Sequence, residues 1–99
     1  MNNSAKIILE MKGRSGHLVY RNGDKTAKLY VEISGVPDYH IILSTEDLME
    51  WHQPKGEIIR RDEEDQILQA IIAWEEESGM KTDIPQWARN RVADIESAG

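Results

Sequence analysis

The chain of 99 residues carries 12 basic and 18 acidic side chains, a net charge of −6, and it contains no cysteine. The lack of cysteine excludes disulfides, thiolate metal sites and cysteine catalysis. The length predicts a single domain spanning residues 1–99. Because we find neither a membrane-length apolar run nor a signal peptide, we expect a cytoplasmic protein with no membrane association.

The charge is unevenly distributed along the chain. Residues 1–44 carry six Lys or Arg and four Asp or Glu, whereas residues 45–99 carry six and fourteen. An acidic half repels nucleic acid and anionic membranes and attracts a basic protein surface. We therefore expect a protein partner and no nucleic acid, although solubility alone would also explain the imbalance.

Alternating apolar and polar residues predict four strands in the first half of the chain, at about 5–12, 17–21, 26–34 and 39–43. Asn22-Gly23 between the second and third is the strongest short-range hairpin signal. The residues expected opposite one another across the three turns are Met11–Leu18 and Leu9–Tyr20, Leu18–Leu29 and Tyr20–Ala27, and Ile33–Tyr39, Val31–Ile41 and Leu29–Leu43. A one-residue slip in the third turn would bring Ile42 inward instead.

The middle of the chain predicts a short helix and a link. Ser44 followed by acids is typical of a helix start, and Pro54 ends the segment. Residues 57–60 are either a fifth short strand or a connection into the next helix. Trp51 is either a lid on the core, which we favour, or an exposed anchor.

Two helices are predicted at about 62–78 and 84–96. Asp62 and Asp83 are the expected N-caps, and Gly79 is the expected stop of the first helix. The apolar stripe of the first helix contains Ile67, Leu68, Ile71, Ile72 and Trp74. That of the second contains Ile84, Trp87, Ala88, Val92 and Ile95. Strands followed by helices predict an α+β fold, a four-stranded antiparallel meander with the helices packed on one face.

Two acids, Glu64 and Glu75, project near the middle of the first stripe. In the simple interpretation, which we favour, the buried part spans only Ile67 to Trp74 and both acids lie beyond it. In the alternative, they rim a pocket together with residues such as Tyr20 or Trp51. Buried carboxylates without partners are costly, which favours the first interpretation.

No pattern indicates chemistry. His17 and His40 are expected on the outer face of the second and fourth strands, with Tyr30 of the third strand between them, but they lack metal-ligand spacing. The acid runs at 62–65 and 75–77 radiate around a helix and do not form a calcium loop. Neither a nucleophile elbow nor a phosphate-binding loop occurs. We therefore predict no catalytic residue, metal or cofactor.

The outer face of the sheet is expected to expose Ile8, Val19, Tyr30 and Ile42 among basic residues. This composition is typical of a contact surface or of a homodimer face, although scattered apolar exposure would look the same. The candidate partner-binding residues, on this face and on the acidic segments, are His17, Tyr30, Glu46, Asp47, Glu50, Glu63, Asp65 and Glu76.

The order within Tyr39–Trp74 carries a resemblance: a strand (YHIILS), a short helix ending in Trp51, Pro54, a short link and an acidic, Ile-rich helix. It resembles small bacterial immunity proteins of polymorphic toxin systems. The resemblance covers about a third of the chain. It implies a cytoplasmic, non-enzymatic protein that neutralises a toxin by binding it, with a basic toxin domain as the partner.

Three hypotheses therefore stand. The first is a non-enzymatic protein-binding module, of the immunity type, that uses an acidic helical surface. The second is a small ligand-binding domain or enzyme with a pocket between sheet and helices. The third is a homodimeric structural protein joined through the outer face of the sheet.

Overall fold

The computed structural model describes residues 5–98 and has the predicted α+β class. Its elements are β1 (Lys6–Lys12), β2 (Ser15–Asn22), β3 (Lys25–Ile33), β4 (Ile41–Leu43), a 3-10 turn (Thr45–Asp47), α1 (Arg61–Ser78) and α2 (Gln86–Ala98). The strands form one antiparallel sheet in the order β1-β2-β3-β4. Neither α1 nor α2 is long and apolar enough to cross a membrane.

The core lies between the inner face of the sheet and the two helices. In β2 and β3, every second side chain points inward, and the central ones, from Leu18 to Tyr20 and from Ala27 to Val31, are at most 1% exposed. Ile67, Leu68 and Ile71 of α1 are likewise 0% exposed. The inner-face residues of the same core cluster are Leu18, Tyr20, Ala27, Leu29, Val31, Ile41 and Leu43. The amphipathic stripe of α1 therefore covers the apolar face of the meander, as the two periodicities predict.

The register differs from the prediction in the first and third turns. Leu9 lies opposite Leu18, and Met11 lies opposite Gly16. The first turn is shorter than expected because Gly13 takes a positive φ of 71° while Gly16 belongs to β2. A Cβ on Gly16 would lie 2.0 Å from the Glu10 carbonyl oxygen, so only glycine fits this place in the ladder.

In the third turn, Ile33 lies opposite Ile41 and not opposite Tyr39, and Val31 lies opposite Leu43. Tyr39 lies outside the strand because the chain from 34 to 40 forms a longer loop. Both errors are shifts of two residues, which keep every side chain on its predicted face. The Asn22-Gly23 hairpin has the predicted register, with Leu18 opposite Leu29.

The segment between β4 and α1 folds against the edge of β3. Its helical part is only the 3-10 turn, and the Ser44 side chain does not cap it. Farther along, the Thr26 and Gln53 peptides pair next to a cis Gln53–Pro54 bond. Residues 57–60 form a link, in which an isolated bridge joins Glu50 to Ile58. Trp51 is 3% exposed, so its predicted role as a lid on the core is confirmed.

The predicted caps of both helices need correction. The N-cap of α1 is Arg60, two residues before Asp62, and the Glu63 carboxylate accepts a hydrogen bond from the Arg60 N–H at 3.0 Å. Asp83 does not cap α2, since its carboxylate accepts from the Leu43 N–H at 2.8 Å. Gly79 ends α1 in the left-handed conformation, as predicted.

Trp87 and Ile33, which are predicted to make apolar contacts, are among the largely exposed side chains. Trp87 of α2 is 47% exposed and lies under the Arg91 guanidinium, whose central carbon is 5.3 Å from the ring centroid. Ile33 is 45% exposed and is the last residue of β3. In both cases the periodicity assigns the correct face but not the limit of the core.

The central position of α1 predicts a specific pattern of stability. We expect Ile71→Ala to lower the free energy of unfolding by about 2–4 kcal/mol, because Ile71 is fully buried and the substitution leaves a cavity. The matched control is Ile58→Ala, the same change at a 63% exposed residue, with an expected effect within about 0.5 kcal/mol. Urea unfolding measures both, and equal losses would contradict the position of α1.

Candidate functional site

A depression of about 660 Å³ lies between the outer face of the sheet and the segment 46–58. We call it the outer groove. Its lining residues are His17, Lys28, Glu46, Asp47, Met49, Glu50, Trp51, His52, Lys55 and Ile58. Four of the eight candidate residues from the sequence, His17, Glu46, Asp47 and Glu50, therefore lie around one concavity.

One wall of the outer groove is held to the edge of β3 at two points. The Asp47 carboxylate accepts a hydrogen bond from the Tyr30 N–H at 2.8 Å. The Thr26 N–H donates to the Gln53 carbonyl at 2.8 Å, and the His52 N–H donates to the Thr26 carbonyl at 2.8 Å. The Asp47 carboxylate thus takes the place of a backbone carbonyl at the edge of β3, so it is already hydrogen-bonded within the chain.

The rim of the groove combines free charge with exposed apolar surface. Met49 is 69% exposed and Ile58 is 63% exposed. Glu46 and Glu50 are exposed beside them, and neither carboxylate makes an ion pair within residues 5–98. Exposed apolar side chains next to unpaired charges are typical of a surface that a partner covers.

Tyr30 extends this surface along the outer face of the sheet. It is 42% exposed, and its ring meets His17 edge-on with the centroids 6.1 Å apart. The Tyr30 hydroxyl donates to the Glu32 carboxylate at 2.7 Å, and this hydrogen bond raises the pKa of Tyr30 above its usual value of 10.0. Tyr30 therefore stays neutral and presents a fixed aromatic ring.

The outer face exposes less apolar surface than the sequence predicts. Ile8, Tyr30 and Ile42 are 38%, 42% and 41% exposed, whereas Val19 is completely buried. Val19 lies at the centre of the face, where its cross-strand neighbours are Ile8 and Lys28. Because cross-strand neighbours pack against Val19 from both sides, the exposed apolar residues of the outer face do not form one continuous patch.

The three histidines do not form the arrangement expected from the sequence. His40 lies outside β4, and its Nδ1 accepts a hydrogen bond from the Lys81 N–H at 2.9 Å. The histidine that shares a groove with His17 is instead His52. Within residues 5–98, no group of three His, Asp or Glu side chains is close enough to hold a metal ion.

Glu63, one of the eight candidate residues, is buried. It is only 9% exposed, and its carboxylate accepts hydrogen bonds from Lys25 Nζ at 2.5 Å and from Trp51 Nε1 at 3.4 Å. Lys25 Nζ also lies 3.0 Å from the Glu57 carboxylate and 5.3 Å from the Trp51 ring centroid. Glu63 is therefore a structural residue that joins β3, α1 and the Trp51 segment.

The environment of Glu63 strongly favours its ionised form. The hydrogen bonds from the Arg60 N–H and from Lys25 lower the pKa of Glu63 to about 2. The same contact with Glu63, followed by the contact with Glu57, raises the pKa of Lys25. Each charge stabilises the other, so the pair remains ionised across the physiological range.

Asp65 is also engaged inside the molecule. Its carboxylate accepts a hydrogen bond from Arg91 Nε at 2.6 Å, and the same guanidinium binds Glu64. Glu64 and Asp65 thus meet one arginine of α2. The favoured interpretation of Glu64, a residue beyond the buried part of α1, agrees with its position, since the fully buried stretch begins at Ile67.

Glu75 occupies a more enclosed site near the other end of α1. Its carboxylate accepts from both terminal nitrogens of Arg89, at 2.8 and 3.0 Å, and from the Thr82 N–H and hydroxyl at 2.8 and 2.7 Å. Burial opposes the charged form of Glu75, but the hydrogen bonds from Arg89 and Thr82 outweigh it and lower the pKa.

Glu75 also lines a groove of about 450 Å³, together with Tyr39 and Glu76. The sequence left open whether Glu64 and Glu75 line a pocket. Glu75 lines this groove, whereas Glu64 binds Arg91 of α2. Glu76 is exposed, as predicted, but lies on a different groove from His17 and Glu50. The eight candidates therefore do not form one site.

Lys28 was expected on the outer face of the sheet, but four other groove residues were not anticipated from the sequence, namely Met49, His52, Lys55 and Ile58. One signal was available. Only one member of the adjacent pair Ile58–Ile59 can point into the core of an extended link, and Ile59 does so with 8% exposure. The remaining residues come together only because the segment 46–58 folds back on β3.

The outer groove presents carboxylates, imidazoles, amines and apolar side chains on a rigid sheet, which suits the binding of another protein surface. Comparison with protein-family models, curated proteins and solved structures finds no match to this chain.

The hydrogen bonds of Glu63 predict how the free energy of unfolding depends on pH. Glu63 is ionised in the folded chain down to a pKa of about 2, against an ordinary value of 4.5, so its contribution is complete above pH 4.5 and is lost as the pH falls towards 2. We expect Glu63→Gln to lower the free energy of unfolding at pH 7 by about 1–2 kcal/mol and to flatten its decline below pH 5.

The matched control for this experiment is Glu77→Gln, at an exposed position of the same helix. Its denaturant unfolding between pH 2 and pH 7 should follow the unsubstituted protein. If Glu63→Gln and Glu77→Gln give the same acid profile, the buried carboxylate does not stabilise the fold in the manner described.

Proposed function

We propose that this chain is a non-enzymatic protein-binding module whose contact surface is the outer groove. The observation that carries the proposal is the combination of unpaired acids, Glu46 and Glu50, with the exposed apolar side chains of Met49 and Ile58. Affinity in such a surface comes from buried apolar anchors, and specificity comes from the charges at the rim.

The pairing of the other acids supports this choice of surface. Glu63, Glu64, Asp65 and Glu75 each bind a basic side chain of this chain. A partner that recruited these carboxylates would have to break an existing ion pair. Glu46 and Glu50 require no such exchange, so they are the acids nearest the groove that can bind a partner directly.

Charge also defines the kind of partner. The net charge of −6 attracts a basic protein over a distance of about a Debye length and raises the rate of encounter. At close range, Lys28 and Lys55 line the same groove as Glu46 and Glu50. The fitting partner therefore has a basic surface overall, with an acidic group at the position that meets Lys28 or Lys55.

The immunity-type hypothesis is the specific form of this proposal. A toxin-neutralising protein in the cytoplasm needs a rigid surface that blocks a basic toxin domain, and it needs no chemistry of its own. The outer groove is supported by a β-sheet and by backbone hydrogen bonds at Thr26 and Tyr30, which keeps its shape fixed before binding. Such preorganisation lowers the entropic cost of association.

The test compares affinity capture by two charge-reversed variants with capture by the unsubstituted chain, using lysate of the source cells and identification of bound proteins by mass spectrometry. The groove variant is Glu46→Lys with Glu50→Lys. We expect it to weaken binding of a basic partner by about tenfold or more, because attraction becomes repulsion at the contact. Binding to the unsubstituted chain should also weaken as salt is raised.

The matched control is Glu76→Lys with Glu77→Lys, which makes the same change in net charge on an exposed part of α1. Lysine near a helix C-terminus is favourable, so the control should fold normally. The proposal predicts that the control keeps the partner. Equal loss in both variants would show that only net charge matters, and the absence of any partner at low and physiological salt would refute the proposal.

A further inference from the structure

Among residues 5–98, nothing pairs with the outer edge of β1, in contrast to the edges of β3 and β4. The edge of β4 is covered by residues 81–83, where the Ile41 N–H donates to the Lys81 carbonyl and the Asp83 N–H donates to the Ile41 carbonyl. The edge of β3 is covered by residues 52–53 and by Asp47. Within residues 5–98, no strand or bridge pairs with the outer edge of β1.

The ladder determines which β1 peptides face this edge. The Ile33 N–H of β3 points towards β2 and donates to the Arg14 carbonyl just before that strand. The Thr26 and Tyr30 N–H groups of β3 point away from β2. Since peptide directions alternate along antiparallel strands, the peptides of Ile7 and Leu9 point away from β2. An open row of donors and acceptors is a template for another strand.

We infer that a second copy of this chain pairs with this edge, β1 against β1, antiparallel about a two-fold axis at Ile8. In this register, Ile7 lies opposite Leu9 of the second copy, and these residues exchange their free peptide hydrogen bonds. On the outer face, Ile8 meets Ile8 of the second copy, and Lys6 meets its Glu10. Two sheets of four strands become one continuous sheet.

The charges of β1 favour this register over one centred on Leu9. If the axis passed through Leu9 instead, Lys6 would lie opposite Lys12 of the second copy, and two like-charged pairs would oppose association. The axis at Ile8 converts both contacts into Lys6–Glu10 pairs of opposite charge. Opposite charges directly across neighbouring strands are favourable and like charges are unfavourable. Isologous contacts of this kind are usual in homodimers.

The exposed side chains of β1 agree with a strand that pairs with a second copy of the chain. Ile8 and Met11 are 38% and 36% exposed, whereas Leu18, Val19 and Tyr20 of the neighbouring strand are at most 1% exposed. A groove of about 350 Å³ runs between β1 and α1, and Ala70, Ala73 and Trp74 are among its lining residues. A second sheet continuing past β1 would cover this groove. This inference is independent of the outer groove and of the partner proposed for it.

The test is a charge exchange, read out by sedimentation equilibrium over a range of protein concentrations. The unsubstituted chain should dimerise. Lys6→Glu and Glu10→Lys should each weaken the dimer by about tenfold, because each places like charges opposite each other at both ends of the interface. A mixture of the two variants should form a heterodimer, since the new glutamate at position 6 then lies opposite the new lysine at position 10.

Amide exchange by NMR supplies a second measurement that does not depend on a variant. The Ile7 and Leu9 amides should exchange slowly at high concentration and rapidly on dilution, whereas the Ile8 amide should be protected throughout because it points towards β2. A chain that remains monomeric at about 1 mM would overturn the inference. So would a dimer that both charge variants leave unchanged, or one in which the Ile7 and Leu9 amides stay unprotected.

Discussion

The structure depends on the burial of one face of the sheet under the apolar stripe of α1. Ile67, Leu68 and Ile71 are fully buried against side chains of β2 and β3, which also lose their contact with water. Apolar burial on this scale is the main favourable contribution to folding. Because only the inner face is covered by helices, the outer face and the segment beside it remain the surface available for recognition.

Four acidic residues of α1 are engaged by basic side chains of α2 or β3, whereas Glu76 and Glu77 remain exposed. Arg91 binds Glu64 and Asp65, Arg89 binds Glu75, and Lys25 binds Glu63. Four of the fourteen acidic residues in the second half of the chain therefore join α1 to α2 or to β3. The free carboxylates near the outer groove belong instead to the short segment after β4.

Other parts of the chain occupy the edges of β3 and β4 but not that of β1 within the described residues. The edge of β3 is occupied by a carboxylate and by the backbone at 52–53, and that of β4 by the loop before α2. Unpaired edges invite association, and proteins usually cover or charge them. Among residues 5–98, the unpaired edge is that of β1, which carries two lysines and one glutamate at the spacing on which the inferred pairing with a second copy depends. The outer groove and the β1 edge are therefore separate surfaces of the same sheet.

Periodicity was sufficient to predict the existence of the four strands and two helices and the face of most apolar side chains, and residue type was sufficient to predict that Gly79 ends α1. Each of these depends on neighbours within a few residues, and a shift of two residues leaves the alternation unchanged. For that reason the same pattern could not distinguish Leu9 opposite Leu18 from Leu9 opposite Tyr20. The partners of Glu63 and Asp65 lie 38 and 26 residues away along the chain. Contacts over such distances exist only after the helices and the segment 46–58 have packed on the sheet, so the outer groove could be found only in the folded molecule.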